Sequence, residues 1–69
     1  MCEFKVYLVG ENPEEKEQVA KDIVVAKIRD NRIVLLNVMG DAVYVDSTSI
    51  REVNTMTQEL ILQKPSISG

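Results

Sequence analysis

The stretch Ile23 to Asp46, IVVAKIRDNRIVLLNVMGDAVYVD, decides the fold. Its apolar residues recur with period two, with Val24, Ala26 and Ile28 on one face and Val25, Lys27 and Arg29 on the other. Asp30-Asn31 follows as a two-residue hairpin loop, because Asp and Asn tolerate a positive φ. The return strand runs from Arg32 to Val38, with Ile33 and Leu35 on one face and Val34, Leu36 and Val38 on the other. Both faces are apolar, so in so small a domain one is expected in the core and the other against a partner. Met39-Gly40-Asp41 then turns the chain into a strand from Ala42 to Asp46, with Gly40 as the turn residue that takes a positive φ.

Outward from this hairpin the same period holds. Cys2, Phe4, Val6 and Leu8 alternate with Glu3, Lys5, Tyr7 and Val9, a half-buried strand that ends at the turn cluster Gly10-Glu11-Asn12-Pro13. Asn12-Pro13-Glu14-Glu15 has the local signature of a helix start, which a single turn satisfies. The segment 16–20 is ambiguous between the end of such a helix and a strand, and is read as a strand. Beyond Asp46, Ser47-Thr48-Ser49 is a polar loop, Ile50 to Asn54 a short strand and Thr55-Met56-Thr57 a turn. Glu59 to Gln63 is the last strand, with Leu60 and Leu62 facing in, and 64–69 a flexible tail. Short strands with little room for helix predict an all-β fold over 1–63, a small closed or half-closed barrel of antiparallel strands, since closure removes free edges.

At 69 residues the chain is one domain, burying about 60% of the surface its unfolded form exposes. A single cysteine excludes an internal disulfide framework, so self-association is the expected remedy for small size. The net charge of −3 has the wrong sign for a protein that tracks a phosphate backbone. Histidine is absent, which removes His-dependent triads and His metal sites, and three aromatics leave few stacking platforms for bases. No apolar run approaches the roughly 20 residues that span a bilayer, and Glu3 and Lys5 interrupt any secretory core, so a cytoplasmic location is expected.

Few residues stand out as sites. Glu14 with Glu15, and Asp41 with Asp46, read as solvated surface acids, and no catalysis is assigned. Lys27, Arg29 and Arg32 surround the hairpin tip and form a basic patch, read either as a solubilising tip or as a contact for RNA or an acidic partner. Met39 and Met56 sit at turns and read as packing filler. Cys2 supports two readings. Its alternation with Phe4, Val6 and Leu8 suits a small buried hydrophobe. Its thiolate, with the Met1 amine and its own amide, also suits a square-planar Ni(II) ion, which two Cys2 side chains of a two-fold dimer would complete.

The opening MCEFKVYLV, the stretch IVVAKIRDNRIVLLNVMGDAVYV with its NVMGD turn, and the terminal ELIL together resemble the CooT family of small nickel-binding proteins, associated with carbon monoxide dehydrogenase maturation. The resemblance runs from about Met1 to Gln63. It implies an SH3-like β-barrel that dimerises and binds nickel through the cysteine at the second position, here Cys2. Some such proteins have been labelled RNA-binding, a label the acidic balance does little to support. Two functional classes therefore stand side by side. One is a nickel carrier, or metallochaperone, without turnover, with Cys2 and Met1 as metal donors and a metalloenzyme maturation partner. The other is a small β-barrel module that binds RNA or protein through Lys27, Arg29 and Arg32. In either case a homodimer is expected, its interface drawing on Val34, Leu36 and Val38 or on the first strand.

Overall fold

The computed structural model describes residues 3–12, 14–46 and 48–65. Six strands make up one sheet: β1 (Phe4–Val9), β2 (Lys16–Arg29), β3 (Arg32–Asn37), β4 (Ala42–Asp46), β5 (Ser49–Asn54) and β6 (Glu59–Gln63). Their order across the sheet is β4-β3-β2-β1-β6-β5. All neighbours are antiparallel except β1 and β6, which run parallel. Among the described residues no helix is long and apolar enough to cross a membrane.

The β2 strand organises the molecule. It is 14 residues long, so the expected short strand from Ile23 and the strand expected over 16–20 are one element. Its first half pairs with β1 and its second half with β3, and Ile23 pairs with both, opposite Phe4 on one side and Asn37 on the other. At three places β2 spends one more residue than its neighbour. Three steps from Ile23 to Ala20 match two from Phe4 to Val6, two from Ala20 to Gln18 match one from Val6 to Tyr7, and two from Ile23 to Val25 match one from Asn37 to Leu36. Each extra residue is a bulge that bends and twists the strand. Asp22, in the left-handed region at φ 56°, lies among them. The bend folds the sheet over, so that Val6, Ile23, Ile33, Leu35, Leu60 and Leu62 from β1, β2, β3 and β6 form one buried cluster. Burying each such side chain contributes about 1.5–3 kcal/mol.

The expected barrel is corrected in two respects. The sheet is not closed: β4 and β5 stand at its two ends and do not pair. The bulges that curl β2 bring β3 over β1 and β6, yet the outermost strands are left as free edges. Nor are the strands all short and antiparallel, given the length of β2 and the parallel pairing of β1 with β6. The radius of gyration, 11.8 Å, slightly exceeds the about 11 Å typical of a compact chain this long.

Local details follow from side-chain chemistry. The β2–β3 loop is Asp30-Asn31 as expected, with Arg29 opposite Arg32, and only Asp30 takes a positive φ. The β3 strand stops at Asn37, one residue earlier than expected, because the Asn37 carboxamide Oδ1 accepts from the amides of Met39 and Asp41 and closes the turn. Gly40 in that turn has φ 89°. At the start of β2, Asn12 caps a single turn, its Oδ1 accepting from the amide of Glu14 and its carbonyl from that of Glu15. Lys64 donates to the Val9 carbonyl, so the strand end is held at least that far. Met39 and Met56 are 82% and 95% exposed, which overturns their reading as packing filler. Turn geometry holds both away from the core.

Candidate functional site

The two metal donors suggested by the sequence, Cys2 and Met1, lie outside the described residues, and so does the reading of Cys2 as a buried hydrophobe. The strand that follows them is firmly placed. Phe4 pairs with Ile23, and the amide of Lys5 donates to the carbonyl of Gln58 at 2.9 Å. Phe4 also borders an apolar cleft of about 240 Å3 between the middle of β2 and the exposed side of β5, with Val24, Ala26, Ile50 and Val53 among its walls. The start of β1 therefore stands beside aliphatic surface rather than beside charge.

Among the described residues no three of His, Cys, Asp or Glu are grouped so as to hold a metal ion, and no polar or charged residue is buried. The acids follow suit. Glu14, Glu15, Asp41 and Asp46 are all exposed, and Asp46 is engaged by Arg32, whose Nε donates to its Oδ1 at 2.8 Å. This pair is solvent-exposed on both sides and contributes about 0.2–1 kcal/mol.

The structure brings the three expected cations onto one face. Side chains directly opposite one another share a face of a sheet, which places Val25, Leu36 and Ala42 in one row, Lys27, Val34 and Tyr44 in the next, and Arg29, Arg32 and Asp46 in the last. Val34 and Leu36 are half-buried here, as expected of the second apolar face of β3, whereas Val38 lies past the end of the strand. Sequence reasoning missed Tyr44, over whose ring the Arg32 guanidinium sits at 5.3 Å from the centroid. It also missed Asp46 as a partner of Arg32. The signal was present, since counting back through the Asn37–Asp41 turn sets Arg32 opposite Asp46. Together Arg29, Asp30, Asn31, Arg32, Val34, Tyr44 and Asp46 line an open hollow on this outer face, two arginines against two aspartates.

Comparison with known proteins gives the chain a family. The sequence model of the family described as the CO dehydrogenase accessory protein CooT matches residues 1–63. The fold is similar to a crystal structure described as a CooT of Carboxydothermus hydrogenoformans, with a TM-score of 0.80 at 15% identity, covering 94% of this chain and 100% of that one. No curated protein sequence matches.

Proposed function

This chain belongs to the CooT family of CO dehydrogenase accessory proteins, and on that premise we propose that it is a nickel carrier for metalloenzyme maturation, with the Cys2 thiolate holding the ion. The observation that carries this reading is the extent of the family match, which begins at residue 1 and so takes in Cys2, the single cysteine. The described residues offer no competing cluster of metal donors.

The chemistry is binding and release, without turnover. A thiolate is a soft donor that favours Ni(II) over the hard cations abundant in cells. In this reading the Met1 amine and the Cys2 amide supply nitrogen donors, and a second copy supplies a second thiolate. Self-association across the apolar outer face of β3, through Val34 and Leu36, is part of the same proposal. A carrier must also let go, and one thiolate per chain gives a site that a metalloenzyme offering several ligands can empty.

Titration with Ni(II), followed by absorbance, tests the reading. Thiolate-to-nickel charge-transfer bands that saturate at a fixed ratio of metal to chain support it. A featureless titration contradicts it.

A further inference from the structure

We propose that the end of the sheet where the chain enters β1 is the docking surface for the protein that takes the metal. An apolar side chain of that recipient seats in the cleft beside Phe4, with Met39 and Met56 as its contacts on either side. This rests on the carrier reading and names where the recipient binds.

The topology gathers three segments at one end of the molecule. The amide of Val38, in the β3–β4 turn, donates to the Asp22 carbonyl at 3.1 Å, next to Ile23, which stands opposite Phe4. On the other side of β1, the Lys5 amide donates to the carbonyl of Gln58, in the β5–β6 turn. The two turns thus bracket the entry to β1. They are built alike: the Asn37 Oδ1 accepts from the Met39 amide at 2.9 Å, and the Asn54 Oδ1 from the Met56 amide at 3.0 Å. Each presents a methionine, and at 82% and 95% these are the most exposed large apolar side chains among the described residues. A flexible, polarisable thioether held out in water adapts readily to a partner's surface.

The apolar cleft runs up to both turns. On its β2 wall Val24 lies two residues past Asp22, and on its β5 wall Val53 immediately precedes Asn54. No charged side chain lines it, and Val24, Ile50 and Val53 are exposed. Its volume of about 240 Å3 falls below the range of about 300–1,000 Å3 usual for small-molecule sites, which suits a protein side chain better than a cofactor. An apolar anchor in a pocket, ringed by contacts that exclude water, is how protein interfaces concentrate affinity.

The position selects the occupant. One residue separates Cys2 from Phe4, and two residues of chain span about 7 Å at most. A recipient that takes the ion from the Cys2 thiolate therefore has to approach this end. A second copy is the rival occupant. Self-association in the carrier reading uses Val34 and Leu36 on the outer face of β3, whereas the cleft residues Ala26, opposite Leu35, and Leu60 lie on the inner face, so the cleft stays open in such a dimer.

The probe is nickel-free CO dehydrogenase, the enzyme named in the family's description, added to the metal-free full chain. The chain has three methionines, so a carbon-13 methyl label on methionine gives three signals, which Met39→Leu and Met56→Leu assign. The expected result is binding in which the Met39 and Met56 signals shift or broaden. Val53→Asp and Met56→Asp each weaken binding by about tenfold or more, whereas Glu14→Gln, at the other end of β1, leaves it unchanged. Both aspartates replace exposed side chains, and circular dichroism confirms that each variant keeps the sheet. Four results overturn the proposal: no binding of the enzyme, unmoved Met39 and Met56 signals, Val53→Asp and Met56→Asp binding as tightly as the parent, or a halved mass in Val53→Asp, which would give the cleft to a second copy. Docking is measured without metal and repeated on Cys2→Ser, which is expected to dock like the parent. Nickel calorimetry on the parent tests the carrier reading by itself, so the two failures are distinguishable.

Discussion

Phe4 stands directly opposite Ile23, the residue at which β2 passes from its pairing with β1 to its pairing with β3. Ile23 is 2% exposed and belongs to the central cluster, so one side chain joins the start of the chain to the bend that folds the sheet over. Truncation there leaves a cavity at the hinge of both halves. Ile23→Ala is expected to cost about 2–5 kcal/mol in urea unfolding, and Val24→Ala, at a 42% exposed position, under about 1 kcal/mol. Equal losses from the two would place the hinge elsewhere.

Gly40 gives a cleaner test of backbone conformation. A Cβ added there meets nothing within 4 Å, so the cost of Gly40→Ala comes from its φ of 89° alone. Thermal melts should show a loss of about 1–2 kcal/mol, and a smaller one for Gly40→Asn, which tolerates the left-handed region better. An Ala variant as stable as the parent would mean that the turn adopts another conformation.

Period-two alternation is a local property, and what it can report was legible in the sequence. It placed β4 and β6 at their observed bounds, Ala42–Asp46 and Glu59–Gln63, put Leu60 and Leu62 inside, and set the two-residue loop at Asp30-Asn31. The continuity of β2 was not legible. Asp22 looks like a strand end, and only pairing with two different neighbours makes its left-handed conformation a bulge rather than a turn. The open sheet was hidden for a related reason, since whether β4 meets β5 depends on how far three bulges bend β2, and no residue type encodes that sum. Val9 and Ile61, buried at 6% and 8% on the face opposite the main core, were missed because alternation assigns one face to solvent. At the candidate site, Cys2 was legible as chemistry alone, and Arg32 opposite Asp46 by counting back through the Asn37–Asp41 turn, whereas the placement of the Arg32 guanidinium over Tyr44 needed the structure.

Self-association through the outer face of β3 has a direct consequence for mass. Light scattering at micromolar concentration should give twice the chain mass, and Leu36→Asp should return it to a single chain without loss of strand signal, because a half-buried aliphatic is exchanged for a charge. A parent protein that stays monomeric at high concentration would contradict the shared two-thiolate site.

Nickel binding should weaken as pH falls. The ion displaces the thiol proton, so below the range in which thiols ionise, protons compete for the donor and apparent affinity drops by up to about tenfold per pH unit for each thiol displaced. Affinity that is flat between pH 8 and pH 6 would point to carboxylate ligands, which are already ionised there.

The central claim is that Cys2 holds the metal, and calorimetry with Ni(II) on the parent and on Cys2→Ser tests it most directly. Serine keeps size and polarity while replacing a soft thiolate by a hard, weakly acidic hydroxyl. The account predicts that nickel binding falls at least a hundredfold in Cys2→Ser while the thermal melt is preserved. A Cys2→Ser protein that binds nickel as tightly as its parent, or one that loses the fold along with the metal, would contradict it.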